Sequence, residues 1–168
     1  MTNFKDFIES KELEEIVGSD KYQKYKYKFS KVVEKAGVGE LDISDEVAIN
    51  KLGMGSWNWF AFFFNFAWSL YLKITSGRTN HWYFLAILIA TYFVLDFAAL
   101  DKISSVLPLP IAIVFGMMGN GFFLQEIVRK YNSGHRGIIP KSIFNIFIVY
   151  AIFIIYAVVS TTLFVAQF

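Results

Sequence analysis

The chain reads as an all-α integral membrane protein. A cytoplasmic helical region over residues 1–56 precedes a membrane domain over residues 57–168, with one re-entrant or interfacial aromatic helix and three transmembrane helices. Three observations predict this. Of 168 residues, 55% are hydrophobic and 19% aromatic, above the roughly 45–50% apolar content of soluble domains. The charges segregate: residues 1–56 hold nine lysines and eleven acids, residues 57–168 only seven lysines or arginines and three acids. The second part also contains several apolar runs close to the length a bilayer requires.

The N-terminal region begins with two short helices. Phe4, Phe7 and Ile8 share one helical face, while Leu13, Ile16 and Val17 fall on nearly the opposite one, so one straight helix cannot bury both sets. The two helices are predicted to meet near Ser10, with Gly18 closing the second. Asp20 with Gln23 three residues on predicts the next helix start. That helix, over residues 21–36, carries Tyr22, Tyr25, Phe29, Val32 and Val33 as an apolar stripe. Lys21, Lys24, Lys28, Lys31 and Lys35 form a second stripe beside it. Such lysines suit an anionic leaflet or a protein partner, each worth about 1 kcal/mol near a charged membrane surface. The plainer alternative packs the aromatics on the short helices and leaves the lysines as a solvated face. Residues 37–42 read as a loop, Ser44 with Asp45 and Glu46 as the start of a short helix to about Leu52, and Gly53 and Gly55 as a flexible hinge.

Four apolar segments follow. Residues 57–72 give a helix of roughly 24 Å against a hydrocarbon core of about 30 Å. They are rich in Trp and Tyr, and Asn58, Asn65 and Ser69 form a narrow polar stripe, so an interfacial or re-entrant helix is expected. Residues 81–100 are long enough to cross. Residues 105–124 contain Pro108 and Pro110, tolerable in a first turn whose amides lack partners, and residues 142–168 form the longest apolar run. Trp57, Trp59, Trp68, Tyr71, Trp82 and Tyr83 are the expected membrane-interface residues.

Basic loops set the orientation. Arg129, Lys130, Arg136 and Lys141 crowd the loop before the last segment. Four crossings from a cytoplasmic N-terminus, the alternative topology, would put that loop outside. If residues 57–72 dip in and return, the N-terminal region, Lys73, Arg78 and the basic loop are all cytoplasmic and the C-terminus is external. The first residues show no apolar run and no small-residue cleavage site, so a cleaved signal peptide is not expected.

Polar groups inside the apolar segments are the candidates for chemistry or for packing. Asp96 lies near the end of the second segment, within reach of solvent or Lys102, or placed for a cation step. Gly116, Gly119 and Asn120 share a side, offering close helix approach and an amide to bond across it, or a polar path. Asn145 sits in the last segment. Glu126 with Arg129 and Lys130 at i+3 and i+4 reads as an ordinary helical ion pair near the cytoplasmic boundary. The chain has no cysteine, and His81 and His135 have no carboxylate at a ligand spacing, so neither a metal site nor any cofactor is expected. No phosphate loop, nucleophile elbow or zinc-protease motif occurs, and acids around the lysines disfavour nucleic acid.

At Ser56-Trp57-Asn58-Trp59-Phe60-Ala61-Phe62-Phe63-Phe64, then Trp68 and Leu70-Tyr71-Leu72-Lys73, the chain resembles a family of small bacterial inner-membrane proteins of unknown function. That family carries a Ser-Trp-Asn-Trp-Ala-Ala-Phe-Phe core. The Tyr22 to Phe29 stretch and Gly119-Asn120 with Phe123 are also similar to family elements. Leu72 replaces a family Arg, and Asn65-Phe66-Ala67 replaces the usual Gly-Pro. The resemblance implies a bacterial inner membrane and no known activity. The sequence therefore predicts a non-enzymatic accessory or adaptor protein in contact with the lipid bilayer and with a protein partner or a second copy. An oligomeric small channel or transporter subunit is the alternative, and an intramembrane enzyme acting on lipid comes third.

Overall fold

The computed structural model of the chain describes residues 2–72, 81–97, 106–139 and 143–165. Eight helices occur among them: α1 (Phe4–Glu9), α2 (Lys11–Val17), α3 (Ser19–Ala36), α4 (Glu46–Lys51), α5 (Trp59–Tyr71), α6 (His81–Phe97), α7 (Pro108–Asn132) and α8 (Ile143–Val165). The described residues are all-helical, apart from one isolated antiparallel bridge between Asn3 and Asp42.

The short helices form where the local signals place them. The Asn3 side chain accepts the Asp6 amide to start α1, and the Ser10 hydroxyl accepts the Leu13 amide to start α2, each satisfying an otherwise orphaned first-turn donor. Ser10 thus ends one helix and begins the next, which lets Phe4, Phe7 and Ile8 on one side and Leu13, Ile16 and Val17 on the other all become buried. Gly18 closes α2 at φ +87°, a left-handed value that glycine adopts without strain. Two predicted starts move. α3 begins at Ser19 with Gly18 as its cap and no side-chain bond there, so Asp20 serves as first-turn negative charge and as the ion-pair partner of Lys21. Asp45, not Ser44, caps α4 by accepting the Val47 amide. Ser44 is diverted, its amide and hydroxyl both donating to Asp42.

That diversion has a pH signature. The Ser44 hydroxyl first, and its amide second, hold the Asp42 carboxyl below the ordinary carboxylate value. A depressed folded value contributes stability that is fully present above the unfolded carboxylate pKa, about 3.9, and is lost as pH falls through the folded one. Asp42→Asn is therefore expected to be less stable than the parent at pH 7, with the gap closing below about pH 4. Thermal unfolding in detergent at both pH values checks it.

α3 is the keel of the N-terminal layer. Tyr22, Phe29, Val32 and Val33 are buried and Tyr25 is half-buried, so the aromatic stripe is packed rather than solvated. It faces α1 and α2 on one side, where the Tyr22 hydroxyl donates to the Ile8 carbonyl at 3.3 Å. On the other side it faces α7, where Tyr25 and Phe29 lie 5.3 and 5.9 Å from the Phe123 ring. One contiguous apolar core runs from Phe4 through α3 and α4 into α5 and α7. The connector between α4 and α5 is not the hinge expected from its glycines. A Cβ on Gly55 would overlap the Val32 backbone, its nitrogen at 2.6 Å, and Gly53 lies directly against Gly121 of α7. These glycines permit close approach of chain to chain.

Beyond the connector, α5 packs on α7, α8 and α6, and α6 packs on α8. Pro108 and Pro110 sit in the first turn of α7, where no amide is missed. That helix runs eight residues past the predicted end at Leu124, where Gln125, Arg129 and Asn132 bond to the N-terminal layer. Three crossing helices, or four, were expected. Among the described residues one helix, Pro108–Asn132, is long and apolar enough to cross a membrane, and the apolar stretches Leu85–Leu95 and Ile143–Val159 are shorter. The expected second span loses length because its last residues, 98–100, lie outside the described residues. So do Lys73, Arg78, Lys102 and Lys141.

Candidate functional site

Two arrangements bring predicted residues together, and the first is a buried polar knot. Asn58 caps α5, its Oδ1 accepting the Ala61 amide at 3.1 Å. Its Nδ2 donates to Asn120 Oδ1 at 3.0 Å, and its backbone amide donates to the Gly116 carbonyl at 2.8 Å. Asn120 is fully buried, and its Nδ2 donates to the Ser56 carbonyl at 3.1 Å and the Ser56 hydroxyl at 2.9 Å. Both faces of the Asn120 amide are thereby committed, as a buried amide requires. Gly116 and Gly119 make the approach possible. A Cβ on Gly116 would lie 2.8 Å from the Trp57 ring, and one on Gly119 would lie 2.6 Å from the Ala61 Cβ.

The same close packing continues to the end of α7, where the N-terminal layer is fastened. Gln125 Nε2 donates to the Leu52 carbonyl, and Arg129 reaches Asn50 Oδ1 at 2.7 Å and Glu46 Oε2 at 3.7 Å. Asn132 Nδ2 donates to the Ile43 carbonyl at 2.7 Å, Tyr131 packs 5.0 Å from Phe7, and the Ile139 amide donates to the Ile16 carbonyl at 3.4 Å. The helical ion pair expected at Glu126 forms with Lys130, whose Nζ meets it at 2.9 Å, and Glu126 itself is buried. Arg129 leaves that pair for the N-terminal layer.

The second arrangement is a cavity of about 480 Å³ between α3, α5 and α8. Lys21, Lys24 and Lys28, with Tyr25 among them, supply its α3 wall. Phe64, Trp68 and Tyr71 of α5 and Ile146 and Tyr150 of α8 supply the rest. Lys28 is half-buried, and that burial, together with the charge of Lys24 beside it, lowers its ammonium pKa from the ordinary value. Burial raises the Tyr25 phenol, with Tyr71 adding to the shift, so Tyr25 stays a neutral hydrogen-bonding group.

The lysine stripe therefore divides. Three of its members line the cavity, while Lys31 lies 4.4 Å over the Tyr27 ring and Lys35 is exposed in the last turn of α3. Among the expected interface aromatics, Trp59 and Tyr83 are exposed, Trp57 is partly so, Tyr71 is half-buried and Trp68 is buried. Asn145 Nδ2 donates to the Leu70 carbonyl at 2.7 Å, a tie between α8 and α5. The side chains of Asn65, His81, Trp82 and Asp96 lie outside the described set. Among the described residues no three His, Asp or Glu side chains are grouped to hold a metal.

Sequence reasoning missed Ser56 and Asn58 as the partners of Asn120, and it missed the cavity. The first had a partial signal, since amides in a strongly apolar sequence need partners. The second had none, because the wall residues come from three distant segments. No curated protein and no solved structure matches the chain. A family match covers residues 19–129, a stretch that contains α3, both halves of the Asn58–Asn120 knot and most of α7. By that match the chain belongs to the family described as "Protein of unknown function (DUF2628)".

Proposed function

We propose that this chain is a non-enzymatic accessory or adaptor protein of the bacterial inner membrane, with its N-terminal helices on the cytoplasmic side and its C-terminus outside. Residues 57–72 enter the bilayer without crossing, and the segments containing α6, α7 and α8 cross it. The observation that carries this reading is the docking of the N-terminal layer on the basic end of α7. Ile16 meets Ile139 and Phe7 meets Tyr131, and this contact supports putting residues 4–17 and the 133–139 loop on the same side of a membrane. A four-crossing topology would put them on opposite sides. The outward apolar side chains support it further: Ile87 and Val94 of α6, Leu109 of α7, and Phe144, Phe147, Ile154 and Ile155 of α8 are all exposed. A surface of that kind needs lipid or protein cover.

The polar path of the alternative channel reading loses Asn120, whose amide is spent on Ser56 and Asn58. The chain has no native cysteine, so single Lys35→Cys and Ser133→Cys variants give clean topology markers. Both are expected to react with a membrane-impermeant maleimide in inverted vesicles and to be protected in intact cells, in a chain that resists carbonate extraction. Reaction from opposite sides, or release by carbonate, overturns the reading.

A further inference from the structure

The cavity between α3, α5 and α8 has two chemically different ends. Its α3 wall carries three ammonium groups, and no Asp or Glu is among the residues lining it. Lys21 has Asp20 at 3.4 Å, but among the described residues neither Lys24 nor Lys28 has a carboxylate within ion-pair distance. Lys28 is also partly removed from water and repelled by Lys24. Lys24 is exposed, but holding its charge beside the half-buried Lys28 is unfavourable until an anion joins them. The opposite walls are aromatic and aliphatic, and they continue outward onto Phe60 and Phe64, which are 64% and 44% exposed.

A small soluble anion would satisfy the lysines and leave the apolar half facing water. An acyl chain without charge would fill the apolar half and leave the lysines unanswered. The volume, about 480 Å³, falls within the roughly 300–1,000 Å³ of ordinary ligand sites. It accommodates a headgroup and the upper part of one chain. Lysines act as point charges rather than as planar forks, which suits a phosphodiester of single negative charge.

We infer that this cavity is a binding site for one anionic phospholipid, its phosphate held by Lys24 and Lys28 and the start of an acyl chain lying on Phe64, Trp68 and Tyr150. The inference rests on the membrane reading above and names the lipid class that the α3 lysines would select. Lys21 assists from the rim.

The test is native mass spectrometry of the full chain in uncharged detergent. Phosphatidylglycerol and phosphatidylcholine with identical acyl chains are added in equal amounts. One phosphatidylglycerol is expected to be retained per chain, with a preference of about 30-fold, two lysines contributing about fivefold each. Lys24→Gln/Lys28→Gln is expected to abolish the preference while leaving phosphatidylcholine retention unchanged. Ile146→Trp, which fills the apolar end, is expected to lose both lipids with its circular dichroism intact. Equal retention of the two lipids, or a preference indifferent to the lysine variant, overturns the inference. Displacement of the lipid by millimolar glycerol phosphate does so too, since it marks a site for soluble anions. The same protein is first sedimented with carbonate-washed membranes. A chain in the pellet without lipid preference overturns the lipid site alone, whereas a chain missing from the pellet overturns the membrane reading with it.

Discussion

Gly121→Ala is expected to lower stability by about 2 kcal/mol, although alanine is the better helix former by about 1 kcal/mol. Gly121 lies in the middle of α7 and is buried. A Cβ there would overlap the Gly53 carbonyl oxygen and lie 2.8 Å from its carbon, where carbon atoms in favourable contact are roughly 3.5–4.0 Å apart. The obstacle is backbone, so no side-chain rotation relieves it. The connector cannot simply retreat, because Leu52 is fully buried with its carbonyl bonded to Gln125, and Gly55 is pressed on Val32. Overpacking of this kind usually costs about 1–3 kcal/mol, and more when the backbone must yield. A loss of that size corresponds to about 4–8 °C in the unfolding midpoint of a chain this long.

Gly53→Ala supplies the control. Its Cβ would meet Met118 Cε at 3.7 Å, an ordinary contact with the end of a flexible side chain, so a change within about 0.5 kcal/mol is expected. Thermal unfolding of both variants in the same detergent separates a specific close approach at Gly121 from a general dislike of alanine in the contact. Equal stability of Gly121→Ala and the parent would mean that α7 and the connector do not touch there.

Legibility in the sequence follows the range of the interaction. The break at Ser10, the stop at Gly18, the end of α3 before Gly37 and the prolines at the head of α7 are set by residues within one turn. All were read correctly from the letters. The cap at Asp45 was missed by one position because Ser44 and Asp45 are equivalent as capping residues. Only the rival bond from Ser44 to Asp42 separates them. Gly53 and Gly55 were misread for a deeper reason: glycine permits both chain freedom and chain contact, and the difference lies in what faces it, here Val32 and Gly121. The lysine stripe was visible as a stripe, but its division was not. Lys21, Lys24 and Lys28 face a cavity that exists only because α5 and α8, distant in sequence, close it. The ion pair of Glu126 was legible because Lys130 follows it by one turn, but its burial was not. It is buried because the N-terminal layer covers that end of α7 and draws Arg129 to Glu46 and Asn50.

Asn120→Leu is expected to cost about 3 kcal/mol, and the loss should appear in stability before it appears in any transport assay. The substitution keeps the volume close and removes an amide that serves Asn58, both oxygens of Ser56 and, at 3.4 Å, the Trp57 carbonyl. Asn58 Nδ2 loses its acceptor, and the Ser56 carbonyl and hydroxyl lose their donor. Asn58 is 6% exposed, so its orphaned amide cannot turn to bulk water, and each buried polar group left unpaired costs about 1–3 kcal/mol. The bilayer moderates the total, since single interhelical hydrogen bonds there average about 0.6 kcal/mol. A double-mutant cycle distinguishes the knot from two independent sites. Asn58→Ala removes the α5 cap as well as the bond, so it is destabilising alone, yet Asn58→Ala/Asn120→Leu should fall short of the summed losses by about 1 kcal/mol. Strict additivity would show that the two amides do not act together. A flux change at unaltered stability would instead return Asn120 to a permeation path. The fully committed amide argues against that outcome, because a side chain whose donor and acceptor are both spent on its own fold has neither to offer a passing ion.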